Sequence, residues 1–129
     1  MPEASLYERI GGQAGLSRLV KWFYAKVRYE TEVAGIFKAH VHDWPSHIRL
    51  IIDFWALMTG GPSSYGGGMG KHVFLPLQPE HYAVWLAVWE QNCLELLPYR
   101  EAMELIELAR NIGDDLRRMG SRATAAKQD

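Results

Sequence analysis

The chain has a single cysteine, Cys93, among 129 residues. An intrachain disulfide is therefore impossible, and a four-cysteine zinc site within one chain is excluded. Net charge is also scarce: 14 Lys and Arg face 15 Asp and Glu, giving −1 with histidine neutral. That balance provides no electrostatic footprint for nucleic acid. No run of eighteen apolar residues occurs, so no membrane span is expected. The N-terminus has no basic region followed by an apolar stretch, and no secretory signal is read there. Alternating strand patterns, internal repeats and a His-Glu-x-x-His zinc helix are all missing. The glycine-rich run ending Gly70-Lys71-His72 is not a phosphate loop, because His72 stands where a Ser or Thr hydroxyl is required and no strand precedes it. What remains is the expectation of a cytoplasmic, all-α protein.

Aromatic residues are abundant instead. Five Trp, six Tyr and four Phe need a core or a large apolar ligand. The length suits one domain, read here as residues 1–119, with a small, polar tail over 120–129 expected to be disordered. Leu6, Tyr7 and Ile10 predict a short first helix stopped at Gly11-Gly12. Leu16, Leu19, Val20, Phe23, Tyr24 and Val27 recur at helical spacing. Val33, Ile36 and Phe37 predict a single turn, followed by a connection over His40 to Asp43. Asp43 then serves as N-cap, with Trp44 and Pro45 opening a helix. Its stripe reads Trp44, His47, Ile48, Ile51, Phe54, Trp55 and Met58, and Gly60-Gly61 ends it. Pro79 starts another helix through Tyr82, Trp85, Trp89 and Cys93, and Pro98 separates it from the last. The pattern predicts helices crossing around a pocket.

Candidate chemistry centres on His72, which ends the loop Tyr65-Gly66-Gly67-Gly68-Met69-Gly70-Lys71. Taken alone it reads as a surface histidine. The alternative is an axial iron ligand, since haem iron takes a neutral imidazole whose other N–H is held by a carbonyl. His47, Tyr24 and Trp85 each read alone as core residues. Together, a Tyr O–H, a His N–H and a Trp N–H could converge in an apolar cavity and stabilise negative charge on a small ligand. Phe37 would supply an aromatic wall for a flat macrocycle. Lys71 and Arg49 suit propionates by charge alone.

At this point the chain resembles the truncated haemoglobins over roughly residues 5 to 118. Leu19-Val20-x-x-Phe23-Tyr24-x-x-Val27 resembles the family's second helix, whose tyrosine is distal. Ile36-Phe37 resembles the segment carrying the haem-contacting phenylalanine. Trp44-Pro45-x-His47 with Asp53-Phe54-Trp55 resembles the distal helix of the family's third group. Tyr65-x-Gly67-x-Met69-x-x-His72 and Pro79-Glu80-His81-Tyr82-x-x-Trp85-Leu86 resemble that group's proximal segment. Gly68 replaces a usual proline, and Gly60-Gly61-Pro62 and Ile10-Gly11-Gly12 look more like the second group.

The resemblance implies a globin-like two-over-two helical sandwich around haem b (iron protoporphyrin IX). His72 would be the proximal iron ligand, and Tyr24, His47 and Trp85 would line the distal side. Phe37, Ile51, Phe54, Trp55, Met58, Tyr65, Met69, Lys71 and Tyr82 would contact the cofactor. The implied function is binding of dioxygen or another diatomic such as nitric oxide, carbon monoxide or cyanide, in the manner of an oxygen-transport globin. Two alternatives stay open. One is nitric-oxide dioxygenase or peroxidase-like chemistry, with electrons from an external reductase. The other is a non-haem helical sensor or interaction domain.

Overall fold

The computed structural model describes residues 4–63 and 79–128. Six helices follow one another: α1 (Leu6–Arg9), α2 (Gly12–Val27), α3 (Thr31–His40), α4 (Trp44–Thr59), α5 (Pro79–Leu96) and α6 (Tyr99–Gln128). No strand is present among the described residues. None of the described helices is long and apolar enough to cross a membrane.

Local chemistry sets the helix ends. The Ser5 hydroxyl accepts the Glu8 N–H at the start of α1. Gly11, at φ 105°, makes the turn into α2 in a conformation that a Cβ would strain. The Asp43 carboxylate accepts the Ser46 N–H, and Pro45 sits in the first turn of α4, as the sequence predicts. Gly60 ends α4 in the left-handed region, and Gly61 N–H bonds back to the Ala56 carbonyl at 2.8 Å.

The helices form two pairs. α2 packs on α4 and α5 packs on α6, while α2 against α5 joins the pairs. This is the expected two-over-two sandwich. The α2 stripe of Leu16, Leu19, Val20, Phe23 and Val27 is buried at the centre. It meets Ile52 and Trp55 of α4, Trp89 and Cys93 of α5, and Leu105 and Ile106 of α6 in one core. Trp55 and Trp89 lie face to face, with centroids 4.6 Å apart and planes 11° from parallel. Trp85 continues the stack at 6.4 Å and 6°. Phe23 meets both Trp85 and Trp89 edge-on, at 5.9 and 5.1 Å. Outside this core, Arg9 of α1 forks onto Glu104 of α6 at 2.6 and 3.1 Å and reaches Glu101 at 3.3 Å.

Two elements differ from the sequence reading. α3 spans ten residues rather than one turn. Val33 and Phe37, four apart, bury one face, and Ala34, Lys38 and Ala39 are adequate helix formers that propagate the turn. His40 therefore closes a helix instead of opening a connection. α6 runs on to Gln128, past the Gly120 boundary at which the domain was expected to end. A single glycine costs a helix only about 1 kcal/mol relative to alanine, and Ala123, Ala125 and Ala126 favour continuation.

One polar group is built into the core. Asn92 is fully buried, a turn along α5 from Trp89. Its amide N–H donates to the Leu19 carbonyl of α2 at 2.9 Å, and its amide oxygen accepts from Lys26 Nζ at 2.9 Å. Lys26 also meets Glu95 at 2.6 Å. Asn92 thus ties α5 to α2 at two points. Asn92→Ala strips a buried acceptor from Lys26 and leaves a small void. It is expected to lower unfolding free energy by about 2 kcal/mol, read as a lower urea midpoint at unchanged m-value.

Candidate functional site

Tyr24 sits one residue past Phe23 on α2, turned about 100° from it, so it leaves the central stripe and faces α3 and the start of α4. It is nevertheless only 4% exposed. The Asp43 cap fixes where α4 begins, and Trp44 and His47, three apart, then share one face. Both meet Tyr24: the Trp44 ring at 5.7 Å and the His47 ring at 5.2 Å. Phe37 of α3 completes the cluster, 5.8 Å from Tyr24 and 6.5 Å from His47. Trp44 lies near-parallel to Phe37 at 6.2 Å, and the Arg28 guanidinium covers the Trp44 ring at 3.8 Å.

The polar centre of the cluster is a single hydrogen bond. His47 Nε2 and Tyr24 Oη are 3.2 Å apart. Burial pushes the Tyr24 phenol up and the His47 imidazole down from their ordinary values, so both are neutral near pH 7. Two arrangements follow from the two imidazole tautomers. Tyr24 donates to a bare Nε2, or Nε2–H donates to Tyr24 and frees the phenol O–H for a third group. The second gives a buried, uncharged donor aimed away from His47.

The depressed imidazole has a consequence for stability. Its contribution is fully present above the unfolded-state value of about 6.5 and is lost as pH falls through the lower folded value. The thermal midpoint is expected to fall on acidification from about pH 7 to about pH 5, and His47→Leu should flatten that slope, as followed by calorimetry across the window.

The remaining α4 residues divide. Ile51 and Phe54 continue the His47 face at four and seven residues' distance, and both are buried. Trp55 is turned into the α4–α5 core against Trp89. Met58 shares the His47 face by spacing and is 36% exposed. On α5, Tyr82 is buried, and burial raises its phenol. Trp85 reaches the Tyr24–His47 pair through Phe23, whose ring also touches Tyr24 at 5.1 Å. Arg49 bonds Ser46 Oγ at 3.1 Å. Tyr65, Met69, Lys71 and His72 lie outside the described residues. Among the described residues no three His, Cys, Asp or Glu side chains cluster to hold a metal ion.

Sequence reasoning places Trp44 on the His47 stripe but does not count it among the site residues. Its signal was available: Trp44 and His47 are three apart after a firm N-cap, which puts both on one side. Asn92 was missed as well, although it stands three residues after Trp89 and one before Cys93, on the buried stripe of α5.

The bacterial-like globin family matches residues 5–110. A group 3 truncated hemoglobin of Campylobacter jejuni is 33% identical over 104 residues, covering 76% of this chain and 80% of that protein. The chain is a truncated haemoglobin of the bacterial-like globin family. Solved structures agree on the fold. This globin resembles the crystal structure of the group III truncated hemoglobin from Campylobacter jejuni with a TM-score of 0.77 and 26% identity, over 84% of this chain and 90% of that one. The group II 2-on-2 hemoglobin of Agrobacterium tumefaciens matches with a TM-score of 0.69 and 25% identity, over 87% and 95% of the two chains. Family membership implies a haem-binding globin. The local chemistry fits that cofactor. Ile51, Phe54 and Phe37 offer buried apolar surface next to the neutral Tyr24–His47 pair.

Proposed function

We infer that this globin carries haem b, held through His72, and reversibly binds diatomic ligands beside Tyr24 and His47. The observation that carries the reading is the part-buried 3.2 Å contact between Tyr24 Oη and His47 Nε2. Bound haem would supply an iron able to take a small ligand and to polarise it. The residues of the chain do the rest. Ile51, Phe54 and Phe37 exclude water from the ligand's side. His47 orients the Tyr24 hydroxyl by donating Nε2–H to its oxygen. Tyr24 then donates its own proton to a partner that gathers negative charge, at low local dielectric, where one hydrogen bond weighs more than in water. Trp85 supports Tyr24 through Phe23.

Absorption spectroscopy tests the proposal. Purified protein is expected to show an intense Soret band at about one haem per chain, which shifts when the reduced protein meets carbon monoxide. Colourless protein that folds stably without haem, or a haem band indifferent to carbon monoxide and cyanide, would sink it.

A further inference from the structure

The C-terminal end of α2, α3 and the first turn of α4 border an open surface pocket of about 340 Å³ that the haem reading leaves unused. Its lining is Arg28, Ala34, Gly35, Lys38, Val41 and Trp44. Two of these side chains are cationic and none is anionic. Among the described residues neither Arg28 nor Lys38 has a carboxylate partner. The two charges therefore border a concave surface with no ion-pair partner among the described residues. Arg28 is not free to wander, because its guanidinium lies 3.8 Å over the Trp44 ring. A guanidinium held over a ring by its charge still carries N–H groups in the fork that matches a carboxylate. Val41, Ala34 and the Trp44 indole give the pocket apolar walls. Gly35 borders open space, since a Cβ added there would meet no heavy atom within 4 Å. The volume lies at the small end for ligand pockets, enough for one ring and its acid group.

We propose that this pocket binds a small organic acid: one carboxylate on a compact apolar ring. The carboxylate takes Arg28 and Lys38, and the ring lies against Val41, Ala34 and Trp44. A bare anion wastes the apolar walls, and a neutral ring leaves both cations without a partner.

Calorimetric titration of the purified full chain with benzoate tests this. Benzoate is expected to bind one to one at millimolar concentration or below. Acetate, which has the charge without the ring, and benzyl alcohol, which has the ring without the charge, should each bind at least about tenfold more weakly. Arg28→Gln and Lys38→Gln should each weaken benzoate by about tenfold, and added sodium chloride should weaken it further. Gly35→Leu fills the pocket from an open position in the middle of α3 and should abolish binding while thermal stability is kept. Three results would overturn the assignment. Benzoate could fail to bind the wild type at about 10 mM. Acetate could match benzoate, which means unspecific anion binding. Benzoate could bind Gly35→Leu as it binds the wild type while shifting the haem absorption band, which would put the acid at the iron.

Discussion

His72→Ala is expected to yield protein with little or no haem, at least tenfold below wild-type occupancy, while helix content stays near normal. The reason is arithmetic of contacts: the apolar walls would take a flat macrocycle, but the His72 imidazole is the one strong directional bond proposed to the iron. Free imidazole added to the variant should restore haem uptake, because it supplies the missing ligand without restoring the chain. The measurement is the ratio of Soret to protein absorbance, with and without imidazole. An unchanged spectrum in His72→Ala would move the iron to another ligand. His47 is the competitor to watch, since it already faces the same cluster. In the described structure it is engaged with Tyr24, so His47→Leu is expected to retain haem where His72→Ala does not.

Tyr24→Phe should raise the dissociation rate of bound dioxygen by about a hundredfold or more, the scale for losing one preorganised donor in a dry site. The ring contacts to Phe23, Phe37, Trp44 and His47 all survive the change. Stability should therefore drop by no more than about 1–2 kcal/mol, chiefly because a half-buried His47 loses its partner. Carbon monoxide, which gathers less charge, should respond far less. Stopped-flow replacement of dioxygen by carbon monoxide reads both. A double variant with His47→Leu is expected to be no worse than Tyr24→Phe alone, because His47 is assigned to orient the phenol rather than to act beside it. Fully additive losses would instead mean two independent donors.

Much of this was readable beforehand, and the reasons differ by element. The α2 stripe and the Asp43-Trp44-Pro45 start of α4 are local statements about periodicity and capping, and both appear where expected. The Tyr24–His47 meeting was readable only as a possibility. It joins residues 23 apart, and periodicity says which face a residue occupies but not which helix that face meets. α3 was read too short because its buried pair is just Val33 and Phe37, too few positions to define a period. Asn92 needed a tertiary partner to make sense, since its two bonds reach residues 66 and 73 positions away.

The column formed by Trp55, Trp89 and Trp85 has an optical side. Three indoles held within 11° of parallel, at 4.6 and 6.4 Å, will share their electronic transitions rather than absorb as separate chromophores. Their coupled dichroism overlaps the far-ultraviolet band by which helix content is usually read. Circular dichroism of this protein thus reports two things at once. A mutation that shears the indole column changes the signal even when no helical residue unwinds.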